Sequence, residues 1–389
     1  MSDAKSPAQE VAELISRARA AQAQIADYTQ EQVDEMITAM VYSVAREDRS
    51  EEIARFTVEE TQLGNYEGKY LKIHRKTRAT LLDIIDDKSV GIIEELPERN
   101  IVKIAKPVGV IGALSPSTNP EATPVIKAIS ALKGRNAIIV APHPRAKLTN
   151  KKICDYMRDA LERCGAPADQ VQSIDVPSLE KTNELMAQCD RVLATGGEAM
   201  VTAAYSSGTP ALGVGVGNAV ITVDDTADLD EAAEKIRTSK TLDLAASCSS
   251  DNSVLVFESV YDEFLKKLQH EGGFVIEGED KSRLQSVIWE DGHLNPKIVA
   301  QHAMTITGQA GIDLPEGKTF LIVPETGAGP DYPFSGEKLT VTMALYKVKD
   351  IDEAIEMTNR IQAYQGQGHS CGIYSYNDEN ILKLANATR

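Results

Sequence analysis

The sequence predicts an α/β fold, in which a parallel sheet with helices on both faces is followed by a second, smaller α/β domain. Three observations predict it. A chain of 389 residues with 42% hydrophobic and 25% charged content is long enough to bury two separate cores. Apolar, strand-like runs at 108–114, 137–141, 171–176, 191–194 and 219–223 alternate with amphipathic stretches of helix length. The punctuation agrees: the stretch 122–133 ends at Gly134, and the stretch 148–164 ends at Gly165-Ala166-Pro167, both of them helix stops.

Taken in order, residues 7–90 are rich in Ala, Glu, Lys and Arg, with apolar residues such as Val33, Met36, Ile37 and Met40 at helical spacing. They predict a helical N-terminal layer. After the run at 219–223, Asp228-Leu229-Asp230-Glu231 reads as a capping box that opens a helix reaching about Lys240. The domain boundary is placed after it, giving domains 1–240 and 241–389. The second contains strands at 254–257, 319–323 and 340–348 and helices near 261–269 and 351–361.

Composition excludes several function classes. A net charge of −17 disfavours nucleic acid and anionic membrane surfaces as partners, because attraction to both needs clustered Lys and Arg. The N-terminus Met-Ser-Asp-Ala-Lys-Ser-Pro has no signal-peptide h-region, and no apolar run approaches the roughly 18 residues of a membrane span. A cytoplasmic location is expected. The five cysteines are odd in number and contain no Cys-x-x-Cys pair, so neither a disulfide framework nor a thiolate zinc site is indicated. None of the six histidines forms an i, i+4 pair, and no metal is expected, although folding could bring His293 and His302 together.

The segment Lys240-Thr-Leu-Asp-Leu-Ala-Ala-Ser-Cys248-Ser-Ser-Asp-Asn-Ser253 sets one cysteine among small polar residues, just ahead of the apolar run Val254–Phe257. Small neighbours leave room for a substrate carbonyl and let backbone N–H groups approach an oxyanion. Taken alone, a structural thiol remains open. Cys154, Cys164, Cys189 and Cys371 sit in helices, at a helix end or at the start of a strand-like run, as structural cysteines do. Asn119, before Pro120 in the loop that follows the run 108–114, lies at the carboxyl edge of the predicted sheet. It reads either as an oxyanion donor or as an ordinary turn residue. Thr195-Gly196-Gly197 joins a strand to a helix, the context in which N–H groups meet a phosphate. Gly213-Val-Gly-Val-Gly217 leads into a strand rather than a helix, so it is read as a loop of close backbone approach rather than a dinucleotide fingerprint.

The ordered set of segments resembles the aldehyde dehydrogenase superfamily, and within it the CoA-acylating branch that includes succinate-semialdehyde, sulfoacetaldehyde and bifunctional acetaldehyde/alcohol enzymes. The resemblance spans nearly the whole chain and is carried by Asn119-Pro120, Gly134–Lys147, Ala194–Gly197, Gly213–Asn218, the Cys248 segment, Glu337-Lys338-Leu339 and Gly366–His369. It implies an aldehyde-dehydrogenase-like fold: a Rossmann-type dinucleotide-binding domain, assigned to 1–240, and a smaller catalytic domain, assigned to 241–389. It further implies Cys248 as nucleophile and Asn119 with the Cys248 N–H as oxyanion hole. Pro142, His143, Thr195, Gly196 and Gly197 would line the dinucleotide. Glu337 would hold the nicotinamide-side ribose, and His369 would either assist proton transfer or be a plain loop residue.

The implied cofactor is NADP or NAD, with coenzyme A as co-substrate and a short aldehyde as substrate, sulfoacetaldehyde first and succinate semialdehyde second. NADP acceptance is expected because NAD-selective relatives carry a glutamate where this chain has Pro144, with His143, Arg145 and Lys147 nearby. Transfer to CoA is favoured over hydrolysis, since no Asp, Glu, Lys, Arg or His occurs from Ala199 to Val223, where the hydrolytic branch places its base. A hydrolytic enzyme and a non-catalytic dinucleotide-binding protein are the alternatives. Two departures stand out. The acylating branch often has Glu-Gln where this chain has Asp251-Asn252, and relatives continue past the position of Arg389 with an oligomerisation segment. A fragment, or an altered quaternary structure, is therefore expected; a homo-oligomer follows from the family only if that segment is present.

Overall fold

A computed structural model describes residues 5–388 of the chain. They pack as two units: one takes residues up to Gln62 together with Tyr66–Gly215, the other Leu63–Asn65 and the chain from Val216 onward.

The first unit opens with helices Pro7–Gln24, Gln30–Ala45 and Glu47–Thr61. Ser6 and Thr29 cap the first two in reciprocal boxes with Gln9 and Gln32, which satisfies N–H groups that a helix start leaves open. Its sheet is five-stranded and wholly parallel, in the order Val171–Ser173, Ala137–Pro142, Val110–Ser115, Arg191–Thr195, Ala211–Val214. The two apolar runs Val110–Ser115 and Ala137–Pro142 are buried along their whole length, as central strands covered on both faces must be. Alternate residues go to opposite faces: Ile111, Ala113, Ile138 and Val140 join one core, while Val110, Leu114, Ile139 and Ala141 join another. Because the earliest strand lies in the middle, the order reverses between Val110–Ser115 and Arg191–Thr195. That reversal is a topological switch point.

The second unit holds a six-stranded parallel sheet in the order Gly273–Val275, Phe320–Pro324, Thr342–Val348, Asp251–Phe257, Ala219–Val223, Cys371–Tyr374. This moves the division of the chain. The strand Ala219–Val223 pairs with Asp251–Phe257 and Cys371–Tyr374, and the helix Leu229–Thr241 packs its Ala232, Ala233 and Ile236 into the core of this unit. Packing thus divides the chain between Gly215 and Val216 rather than after Lys240. Asp228 caps that helix as its sequence suggests, accepting the Asp230 and Glu231 N–H groups.

Several elements were not anticipated, among them the edge strand Gly273–Val275 and the helices Gly278–Ile288 and Ala303–Gln309. Ala211–Val214, read as loop, is an edge strand, and Gly91–Leu96 pairs antiparallel with Ile101–Ala105 as a two-stranded ribbon. Among the described residues no helix is long and apolar enough to cross a membrane.

Candidate active site

In the first unit a cavity of about 280 Å³ opens at the carboxyl ends of Val110–Ser115, Ala137–Pro142 and Arg191–Thr195, where the strand order reverses. Pro142, His143, Thr195, Gly196 and Gly197 all line it, together with Ser115, Pro116 and Met200. Gly197 is the N-cap of helix Glu198–Ser206, and no side chain caps that helix start. Its first N–H groups are open to a phosphate, and Gly197 has no atom within 4 Å of where a Cβ would stand. A dinucleotide's pyrophosphate fits here. A larger hollow runs along the first helix, lined by charged side chains such as Lys5, Glu10, Glu13, Arg17 and Lys181 and by Ser173–Val176 at the end of the edge strand, away from the point where the strand order reverses.

Beside this cavity lies the turn Pro144–Ala146. His143 Nδ1 accepts the Arg145 N–H at 3.1 Å, and burial together with Arg145 holds its pKa below the usual histidine value. The imidazole is therefore neutral near pH 7, and positive charge at this turn comes from Arg145 and Lys147, both exposed. The N-terminus of the next helix, Lys147–Arg163, is already taken: Glu60 accepts the Leu148 and Thr149 N–H groups at 2.8 and 2.7 Å.

Asn119 sits in the loop between Val110–Ser115 and helix Thr123–Lys133. Its Nδ2 makes one long bond, 3.3 Å to Thr118 Oγ1, so one amide hydrogen remains to donate. The loop is pinned from within the unit by Lys69, whose Nζ donates to the Thr118 carbonyl at 2.6 Å and lies 3.5 Å from Glu121. Both charged side chains are fully buried. The sequence reading singled out neither.

In the second unit Cys248 lies on the turn between Leu242–Ala245 and the strand Asp251–Phe257, half-exposed. Cys154, within a helix, and Cys189, at a helix end, are unsuited to nucleophilic work, since burial pushes the Cys154 thiol up to about 12 and the Cys189 thiol up to about 11. Gly217 passes directly beneath Cys248: a Cβ on it would stand 2.4 Å from the Cys248 Cβ. Gly217 also donates its N–H to Glu337 Oε1 at 2.9 Å, so Glu337 reaches the cysteine turn through one glycine. Asn218 then ties the surroundings together, its Nδ2 donating to the Ser335 and Gln365 carbonyls and its Oδ1 accepting from Asn252, which also donates to the Gly336 carbonyl. His369 Nδ1 is 2.9 Å from Ser370 Oγ in its own loop.

The profile described as "Aldehyde dehydrogenase family" matches residues 2–280. The chain belongs to that family. A sulfoacetaldehyde dehydrogenase of an Acholeplasma species is 45% identical over 376 residues, covering 95% of this chain and 77% of the relative. An acetylating aldehyde dehydrogenase from Geobacillus thermoglucosidasius superposes with a TM-score of 0.94 at 37% identity, covering 98% of this chain and 84% of that one. A propionaldehyde dehydrogenase from Rhodopseudomonas palustris, solved with bound CoA and an acylated cysteine, superposes with a TM-score of 0.84 at 26% identity, covering 97% and 85%. The expected fold, that of an aldehyde dehydrogenase with parallel α/β sheets, is borne out.

Within this aldehyde dehydrogenase, Glu337 carries a checkable electrostatic signature. Burial raises its carboxyl to about 7, against the pull of the Gly217 N–H and of Lys338 and Lys240. A folded pKa above the unfolded one, near 4.3, means the fold holds the proton more tightly. The resulting stabilisation is complete below about pH 4 and is lost as pH rises through about 7. Glu337→Gln cannot ionise, yet its amide oxygen still accepts the Gly217 N–H. It is expected to melt higher than wild type at pH 8 by roughly 1–3 kcal/mol of stability, with most of the gain gone at pH 5. Thermal melts at both pH values check this; an equal difference at both would mean Glu337 does not titrate in the fold.

Proposed function

We propose that this chain is a CoA-acylating aldehyde dehydrogenase whose nucleophile is Cys248 and whose dinucleotide lies in the cavity at the switch point. The observation that carries the proposal is the half-exposed Cys248, set on a tight turn against Gly217 and the Glu337 carboxylate. Its thiolate adds to the aldehyde carbonyl, and the oxyanion so formed accepts from the Cys248 N–H and the free Asn119 amide hydrogen. NAD or NADP, held by Pro142, His143, Thr195, Gly196 and Gly197, accepts the hydride when bound. The resulting Cys248 thioester passes to the CoA thiol. Glu337 orients the ribose next to the nicotinamide, and His369 is the residue nearest in type to a proton carrier for the departing or arriving thiol. On this reading the enzyme is cytoplasmic, and a homo-oligomer, dimer or tetramer, where the C-terminal segment of its relatives is present.

Sulfoacetaldehyde is the first-choice substrate and succinate semialdehyde the second, supported by the name of the 45%-identical relative and by the acylating-branch motifs. A panel of short aldehydes, with and without a distal anion, assayed with CoA and each cofactor tests this. CoA-independent turnover, or indifference to the anion, would remove the assignment.

Two predictions arise here. NADP is expected to be used at a kcat/KM within about tenfold of NAD or better, because Pro144 offers no carboxylate to repel a 2′-phosphate and Arg145 offers a guanidinium. Strict rejection of NADP would return Arg145 to a solvated loop. Asn119→Ala is expected to lower kcat by about 10²–10³ with the thioester chemistry retained. An unchanged rate would leave Asn119 as a turn residue.

A further inference from the structure

The backbone in front of Cys248 is unusual. Asp243, Leu244 and Ala245 adopt φ of 50°, 53° and 61° in succession, a left-handed turn built without a single glycine. Such residues are disfavoured there and persist only where the surroundings impose the conformation. What imposes it is visible. The segment Leu63–Asn65, far away in sequence, packs within this unit against the turn. Asn65 donates its N–H to Asp243 Oδ1 at 3.0 Å, and Gly64, at φ 73°, lies so close that a Cβ on it would stand 1.8 Å from the same oxygen. Gly64 in turn donates to the Ala300 carbonyl at 3.1 Å, and Ala300, itself at φ 52°, donates to the Leu339 carbonyl at 2.8 Å, two residues past Glu337. The turn is closed by the Ala246 N–H, which donates to the Asp243 carbonyl at 3.0 Å.

A scaffold that needed only stability would place glycine or asparagine in these positions. Here a buried carboxylate fastens a strained turn that closes at Ala246, two residues before the cysteine, and the same chain of bonds runs on to the loop carrying Glu337, ahead of the strand Thr342–Val348. The bond it accepts from Asn65 fixes where the turn lies.

We infer that Asp243 is a positioning residue: by accepting the Asn65 N–H it holds the left-handed turn that sets the Cys248 thiol against Gly217. This rests on Cys248 being the nucleophile. The place of the acceptor oxygen is what this role requires. Asp243→Asn keeps an oxygen at the same place and loses the charge, whereas Asp243→Glu keeps the charge but adds a methylene where Gly64 leaves no room.

The test uses the full chain and folded protein, checked by circular dichroism. It measures kcat, aldehyde KM, dinucleotide Kd and the pH profile of Cys248 alkylation by iodoacetamide, followed by mass spectrometry. Asp243→Asn is expected to stay within about threefold of wild type in kcat, while Asp243→Glu and Asp243→Ala lose about 10- to 100-fold in kcat. In the two damaged variants the alkylation profile shifts while dinucleotide Kd holds. A purely structural role would lower the melting temperature and leave kcat per folded molecule and the alkylation profile alone. That result overturns the inference, as does Asp243→Asn damaged to the level of Asp243→Glu. Should Asp243→Glu and Asp243→Ala both fail to fold, the Asn variant decides: wild-type kcat and alkylation support the positioning role, and their loss refutes it. Cys248→Ala, run alongside, separates the two layers. If it turns over, the nucleophile assignment has failed; if it is dead while all folded Asp243 variants match wild type, only the positioning role has failed.

Discussion

Cys248→Ala is expected to abolish aldehyde oxidation and to leave dinucleotide affinity within about twofold of wild type. The first half follows from chemistry. An alanine methyl cannot add to a carbonyl, so no tetrahedral adduct forms and no hydride has a carbon to leave. The second half follows because Cys248 is not among the residues that line the cavity suited to the dinucleotide, Pro142, His143, Thr195, Gly196 and Gly197 among them. Replacing Sγ by hydrogen also leaves the Cβ that packs over Gly217, so the turn keeps its contact. Steady-state reduction of the cofactor and a fluorescence titration measure the two halves. Residual turnover above about 10⁻³ of wild type would mean that a different group attacks the aldehyde, and the mechanism would have to be abandoned.

Much of this site was legible in the sequence, for identifiable physical reasons. A nucleophile needs small neighbours, and the run Ala245-Ala246-Ser247-Cys248-Ser249 advertises that directly. A phosphate site needs a helix start with exposed N–H groups after a strand, and Thr195-Gly196-Gly197 has that form. The reading of Gly213–Gly217 as close-approach backbone finds its object in Gly217, where no Cβ fits beside Cys248.

What escaped is what depends on distant pairing. The run Ala219–Val223 looks the same whichever sheet it joins, and only its bonds to Asp251–Phe257 and Cys371–Tyr374 assign it to the second unit. The edge strand Ala211–Val214 hid behind its glycine, which is there because a Cβ on Gly213 would stand 2.7 Å from Val201 and 2.9 Å from the Tyr205 ring. The Asp243–Ala245 turn contradicts local propensity outright, since leucine and alanine argue against left-handed backbone. Its only sequence trace is Gly64, some 180 residues earlier, and nothing in a one-dimensional pattern links the two. The buried pair Lys69 and Glu121 escaped for the related reason that lone charges in helical stretches normally face water.

Without CoA, the enzyme is expected to release about one equivalent of reduced cofactor per active site and then stall. The thioester on Cys248 needs a nucleophile to leave, and water becomes one only with a positioned base. From Ala199 to Val223, where the resemblance to the family implies the base of a hydrolytic enzyme, this chain has no Asp, Glu, Lys, Arg or His. A thiol with a pKa of about 8.5 is already a few per cent thiolate at neutral pH, so CoA attacks unaided. Adding CoA after the stall should therefore restart turnover at the full steady-state rate. The structure also selects the variant that ought to bypass CoA. Gly213 has no space for a side chain, whereas Val214 is 49% exposed and accepts a larger one. Val214→Glu is thus expected to raise the slow CoA-independent rate, and Gly213→Glu to disturb the edge strand. Rapid-mixing measurement of the burst, with product analysis for free acid and thioester, decides the matter: steady oxidation to the free acid without CoA would overturn transfer to CoA and install hydrolysis in its place.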